Sequence, residues 1–390
     1  MRGATKNNAK GSIALVLVLI TVTLITALVV EITYRSQVSA SVVVNRRESA
    51  KAYELARAAI NWSVFRLQLD SALDQIPVIP GTNYGGKKDD LLEVQWAIPI
   101  PYPFAPGKTT KADAASPSDL GGSFVSVLSD ESARINLNDV GSGGPQGNVK
   151  WSGTAEILEN LLLSPRFKAY FKGRDHREVL WGIDDWTDAD SIVNHIGGGI
   201  EDAEYQIEGM KYHVKNAPFY TLTELHYLKP MTDDLYRELA PFVTVYPFDA
   251  RLPRYNISPV NPLGKINVNT ASLELIASLF NRDTMPDWRE RLDCAQKFVK
   301  ARESMAFRSV RGEEPSFLTF LGRACRVETG QSGETPILTP SVERVLSPTC
   351  ASDTFSVEAN GLVGVTDKAI RAVLYRKDSS KIKILYWKVI

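Results

Sequence analysis

Residues 10–35 read KGSIALVLVLITVTLITALVVEITYR, and no charged side chain interrupts the run from Gly11 to Val30. About 20 apolar residues at ~1.5 Å rise per residue match the ~30 Å hydrocarbon core of a bilayer, so the run is long enough to span a membrane. A secretory signal would have a shorter apolar region followed by a small-residue cleavage site, and the polar flank beginning at Glu31 offers no clear A-x-A site. The run therefore reads as a retained transmembrane anchor over residues 12–32. The leader before it, residues 1–11, holds Arg2, Lys6 and Lys10 and ends in Lys10-Gly11, where a cut is expected. Its three positive charges favour a cytoplasmic N-terminus, with everything after Glu31 outside, although Arg35, Arg46 and Arg47 on the far flank pull the other way.

Working outward from the anchor, no Gly or Pro interrupts Ser12 to Ile76, so the helix has no reason to stop at the membrane surface. Ala52, Leu55, Ala56, Ala59, Ile60, Val64 and Leu67 recur at helical spacing while Arg46, Arg47, Glu48, Lys51, Glu54 and Arg57 fill other faces. The pattern predicts one amphipathic rod of roughly 60 residues and ~90 Å, broken near Pro77 and Pro80. A following sheet is the economical partner for its apolar face. The alternative is a membrane helix and a separate juxtamembrane helix, hinged in the β-branched stretch Ser39 to Val44.

The 390 residues are 44% hydrophobic and 23% charged, enough for more than one core. Lys plus Arg (45) balance Asp plus Glu (45), so no global field draws nucleic acid or an anionic surface. Cys294, Cys325 and Cys350 lie in the C-terminal third without C-x-x-C spacing, which argues against a zinc site or a thioredoxin-like motif. In an oxidising compartment one pair is expected as a disulfide. Cys325 with Cys350 is the first choice, Cys294 remains open as a partner, and three buried reduced thiols are the alternative.

Strand-like stretches stand at both ends of the soluble part: Val94 to Pro101 and Ser123 to Leu128 early, then Phe355 to Val365, Lys368 to Arg376 and Lys381 to Ile390. Asp378-Ser379-Ser380 separates the last two as a hairpin. Between them, about Ile135 to Leu346, the patterning is mainly helical. This order predicts an α+β fold in which a rod helix packs on a small antiparallel sheet, residues 33–134 and 347–390, interrupted by an inserted α-helical domain, residues 135–346. Trp181, Trp186, Leu222, Leu225, Leu235, Leu239 and Phe242 are expected in the inserted core. Inside it, Arg134-Ile135-Asn136-Leu137-Asn138 is echoed by Lys265-Ile266-Asn267-Val268-Asn269, each followed by helical pattern. The alternating Asn side chains suit helix capping, and Thr232 is expected as the N-cap of a later helix.

The Ile266 to Ala271 segment with its paired helices resembles helix-hairpin-helix and SAM-like modules, some of which bind DNA through backbone amides of a Gly-containing hairpin. Here that position reads Lys229-Pro230-Met231, where proline removes a donor and no Gly lets a phosphate approach. Packing against protein is the favoured use and DNA binding the alternative. Acidic residues gather at Asp184, Asp185, Asp188, Asp190, Glu201, Asp202 and Glu204, without the glycine an EF-hand loop needs. Asp130 and Glu131, with Asp353 on the far flank of the insertion, would meet at one junction, where calcium would stiffen two chain crossings; solvated loop carboxylates are the plainer reading. His176, His195, His213 and His226 show no metal spacing, and neither a G-x-S-x-G elbow nor a P-loop is present, so no enzyme is expected.

A leader ending in Lys-Gly, a membrane helix extending into a rod and a C-terminal sheet together look like the type IV pilin and pseudopilin class. The large insertion, Asp130-Glu131 before Ile135-Asn136-Leu137-Asn138, Asp185-Trp186-Thr187-Asp188-Ala189-Asp190, Asn216-Ala217-Pro218-Phe219, Thr244-Val245-Tyr246 and Lys265 to Ser272 are similar to the type II secretion system protein K family of minor pseudopilins. The resemblance implies cleavage by a prepilin peptidase after Gly11 and N-methylation of a mature chain beginning at Ser12, a position where a large apolar residue is usual. It implies the inner membrane with the bulk of the chain periplasmic, and a place at the pseudopilus tip for protein export. Implied partners are minor pseudopilins I and J, the major pseudopilin G and the inner-membrane assembly platform. Calcium at the β/α junction is implied too, and is carried to Asp130, Glu131 and Asp353 by position. A membrane-tethered DNA-uptake component is the other functional reading. Most pilins hold a Glu at the fifth mature position, paired with a neighbour's N-terminal amine; here it is Val16. A carboxylate in hydrocarbon costs ~2.5 to 3.5 kcal/mol unless paired. A subunit with none above it has no amine to pair, so Val16 suits a terminal position.

Overall fold

The computed structural model describes residues 5–73, 100–102, 121–141, 152–188, 193, 212–248, 264–304, 306–312, 315–325, 336–348, 350–378 and 381–390. Asp190, Glu201, Asp202, Glu204, the two prolines at 77 and 80 and most of the strand expected over Val94 to Pro101 lie outside the described residues. The first element is one helix, α1 (Thr5–Leu73), 69 residues long and unbroken through Ser39 to Val44. The hinged pair of helices is therefore not what forms. Within the apolar stretch, threonine hydroxyls donate back along the helix, Thr21 to the Leu17 carbonyl at 3.0 Å and Thr26 to that of Val22 at 2.7 Å. Such bonds satisfy the hydroxyls within the helix itself. The first charges beyond it, Glu31 and Arg35, pair one turn apart at 2.6 Å.

A five-stranded sheet follows the order β1 (Ile100–Tyr102), β2 (Ser123–Asp130), β5 (Thr354–Val363), β6 (Thr366–Asp378), β7 (Lys381–Val389). The last two strands pair antiparallel from Ile370↔Val389 to Asp378↔Lys381. Two further short strands, β3 (Ile135–Asn136) and β4 (Val243–Thr244), pair in parallel away from that sheet.

The chain divides into two compact units, one of residues 1–59, 101–125 and 360–369, the other of residues 60–100, 126–359 and 370–390. In the first, Ala52, Leu55, Ala56 and Ala59 are buried on one face of α1 while Ile13 to Val30 stay exposed along the helix. Gly361 makes the close approach possible, because a Cβ there would lie 2.1 Å from the Ala52 carbonyl oxygen. Thr366 donates to the Glu48 carboxylate at 3.2 Å, tying the β5–β6 turn to the same helix.

The second unit buries Ile60 and Leu67 from the far part of α1 and carries the helical block. Its helices are α2 (Gly153–Leu162), α3 (Arg177–Thr187), α4 (Asp233–Leu239), α5 (Leu273–Ser278), α6 (Trp288–Arg302), α7 (Phe317–Cys325) and α8 (Pro340–Val345). Ser152, Thr232, Ser272 and Thr339 cap α2, α4, α5 and α8, each hydroxyl accepting a first-turn backbone N–H. Helix α2 packs on both α5 and α8. It crosses α8 so closely that a Cβ on Gly153 would sit 2.0 Å from the Ser341 carbonyl oxygen. Leu158, Phe167, Ile183, Leu239, Leu275, Phe298, Phe307 and Phe317 belong to one continuous core. Trp186, Leu225, Leu235, Leu239 and Phe242 are buried as expected, while Leu222 and Trp181 are only partly buried, the latter beneath the Arg177 guanidinium.

The disulfide corrects the expected pairing. It joins Cys294 to Cys325 with Cα atoms 5.5 Å apart, because α6 and α7 lie side by side; Cys350 sits outside it, buried on the segment returning to the sheet. Loop length does not discriminate between the two pairings, whereas the packing of the two helices does.

Candidate functional site

The two Asn-containing segments perform the same task twice. Asn136 accepts the backbone N–H of Asn138 at 3.0 Å, and Asn267 that of Asn269 at 2.9 Å. The second asparagine of each pair then clasps a distant phenylalanine peptide. Asn138 accepts the Phe219 N–H at 2.8 Å and donates to the carbonyls of Phe219 and Val245; Asn269 accepts the Phe307 N–H at 3.0 Å and donates to those of Phe307 and Cys350. Each Ile-Asn step also bridges in parallel to the chain leaving a later helix, Ile135 to Val243 and Ile266 to Leu346. The repeat read as helix capping is thus also a long-range tie, satisfying buried peptide groups that would otherwise cost about 1–3 kcal/mol each.

Six segments converge where β2 leaves the sheet and the chain later returns. Asp130 accepts the Ser132 backbone N–H at 2.7 Å and, on its other oxygen, the hydroxyls of Thr270 and Ser352. Glu131 accepts Arg134 at 3.0 Å and the Thr244 hydroxyl, while its N–H donates to the Thr354 carbonyl. Ser132 donates to Asp353 at 3.4 Å, and Thr354 donates to the same carboxylate at 2.7 Å. Arg376 of β6 closes the ring, donating to Asp70 of α1 at 2.6 Å, the Leu67 carbonyl at 3.3 Å and the Ser352 carbonyl at 2.9 Å. Burial raises the Asp130 carboxyl to about 6 and pushes Asp353 up as well.

So Asp130, Glu131 and Asp353 do meet, but as hydrogen-bond acceptors. Calcium takes six to eight oxygens at about 2.3–2.6 Å. Here the carboxylate oxygens face N–H and O–H donors, and two guanidinium groups stand at the rim. Among the described residues no three acidic, His or Cys side chains are arranged to hold a metal ion. As placed, these residues do not fit a calcium site. Asp184 and Asp185 of the other acidic group are buried within α3.

The module that resembles DNA-binding hairpins is also closed. Between α5 and α6, the Asn281 N–H donates to the Ile337 carbonyl at 2.9 Å, its side chain to that of Pro336 at 3.2 Å, and Thr284 to the same Pro336 oxygen at 2.8 Å. These donors of the turn are thus taken by the chain itself. Lys229-Pro230-Met231 turns back into the block, with the Pro230 ring against Gly182 and its carbonyl accepting Arg174 at 3.4 Å.

Gly11 and Ser12 lie inside α1, and Val16 is half-exposed on its apolar stretch. Arg376, Asp70, Thr270 and Ser352 were not among the residues the sequence suggested. Arginine at a strand position reads as solvent-facing, and the other three gain meaning only once distant segments meet.

Residues 133–248 match the family model for type II secretion system (T2SS) protein K. The type II secretion system protein K of Pseudomonas aeruginosa is 31% identical over 205 residues, 52% of this chain and 51% of the relative. That of Pectobacterium carotovorum subsp. carotovorum is 26% identical over 197 residues, 49% and 52% of the two chains. The chain therefore spans about half the length of these relatives. In fold it is similar, with a TM-score of 0.54 and 16% identity, to a chain in the crystal structure of the GspK-GspI-GspJ complex from enterotoxigenic Escherichia coli type 2 secretion system, over 87% of this chain and 96% of that one. The likeness in sequence is thus to type II secretion system protein K, centred on residues 133–248, and the likeness in fold is to a chain of that complex.

Proposed function

We propose that this chain is a minor pseudopilin of the type II secretion system, a non-catalytic subunit at the tip of the periplasmic pseudopilus that initiates or caps its assembly for export across the outer membrane. Its partners are minor pseudopilins I and J, with the major pseudopilin G and the inner-membrane assembly platform below. One observation carries the reading: the apolar helix continues without a break into the helix whose inner face is buried in the soluble fold. The anchor is thereby continuous with a helix of the fold, as an assembly subunit needs. The similarity to protein K and to a chain of the GspK-GspI-GspJ complex supports the same partners.

In this reading residues 12–32 span the inner membrane with the N-terminus cytoplasmic. Residues 33–134 and 347–390 form a pilin-like domain, and residues 135–346 an inserted domain of two helix-hairpin-helix, SAM-like repeats. The insertion is too bulky for the filament shaft, and Val16 removes the carboxylate that would call for a subunit above. Prepilin peptidase cleaves after Gly11. Mass spectrometry of the membrane form with and without the peptidase tests this: a mature chain beginning at Ser12 only when the enzyme is present is expected, and an intact Met1 in both would refute it.

A further inference from the structure

We propose that the crossing between sheet and helical block is a calcium-independent clasp organised by the Asp130 carboxylate. Its two oxygens receive one backbone N–H and two hydroxyls from three separate segments, residues 132, 270 and 352. Donors aimed at an anion present positive hydrogens, which a cation at the same oxygens would have to displace. The neighbours reinforce this. Ser352, while donating to Asp130, accepts the Asn267 side-chain amide at 2.8 Å, so its oxygen is also engaged. Asn267 in turn donates its backbone N–H to the Ser132 carbonyl at 2.8 Å, closing a circuit that returns to the turn beside Asp130. The charges facing the cluster are already mixed: Asp130, Glu131, Asp353 and Asp70 against Arg134 and Arg376. Arg134 pairs with Glu131 and Arg376 with Asp70, so two of the four carboxylates already have a cationic partner.

The clasp also explains why hydroxyl residues sit at positions 270 and 352. Thr270 follows the second Asn pair directly, and Ser352 lies on the return to β5, so Asp130 joins the second repeat to both crossings. Thermal unfolding of the full-length protein in detergent, with calcium chloride or with EGTA, tests the idea on wild type, Asp130→Asn and Thr270→Val. Both variants are expected to melt several degrees lower than wild type in either medium, with the calcium-minus-EGTA difference the same in all three. A calcium-dependent rise in the wild-type midpoint that disappears in Asp130→Asn would overturn the proposal. Should Asp130→Asn not fold, Thr270→Val decides: an unchanged midpoint in calcium together with a lowered one in EGTA would mean that the cation, and not the donor, holds the crossing.

Discussion

Arg376 concentrates the logic of the fold in one side chain. Its head group is 9% exposed and its partner Asp70 4%, and it reaches α1, the return segment and the face of the Phe355 ring together. Burying both charges gains little over a well-packed apolar pair, but removing one leaves the other stranded. Arg376→Met is expected to cost about 3–5 kcal/mol, read as a fall in the urea midpoint of unfolding with the slope unchanged. Asp130 sets a pH dependence of known sign. Its carboxyl titrates near 6 when folded, against 3.8 for an ordinary aspartate, so the folded state holds the proton more tightly. The proton-linked part of its contribution is fullest below about pH 4 and is lost as pH rises through about 6, which leaves the hydrogen bonds to the anion. Asp353, also pushed up by burial, acts in the same direction. Relative to Asp130→Asn, the wild type should gain ~2–3 kcal/mol on going from pH 7.5 to 4. Parallel profiles of the two proteins by denaturant titration would exclude that role.

At the scale of elements, what was legible followed from local rules. A helix without Gly or Pro beyond Gly11 forms as one rod, strands rich in β-branched and aromatic residues form near their expected limits, and Thr232 caps its helix. What escaped were partners far apart in the chain. The second asparagine of each repeat reads as a local cap, yet its main bonds go 81 and 38 residues away. Arg376, whose partners lie on α1 and on the return segment, gave no local signal for the same reason. The cysteines make the point most plainly: Cys325 with Cys350 was the pair expected first, and the packing of α6 on α7 joins Cys294 to Cys325 instead. That bond closes a separation of 31 residues, for which loop-closure entropy suggests about 3–4 kcal/mol. Cys294→Ser should therefore lower the thermal midpoint clearly, and a reductant should do the same to the wild type but not to the variant.

The membrane-length apolar stretch continues in one helix into residues that are buried in the fold, and the helical block carries the same Asn tie twice. The repeats bury their Asn ties and turn their hairpin donors onto the chain's own carbonyls, which fits a scaffold that packs against protein better than one that reads nucleic acid. Those features make sense together if the chain is a tip subunit of a secretion pseudopilus. The most direct measurement is co-purification of the full-length protein in detergent with minor pseudopilins I and J, followed by light scattering on the eluted species. A single peak containing all three chains in equal numbers is predicted; separate elution of this chain at its own mass, with I and J together elsewhere, would contradict the account.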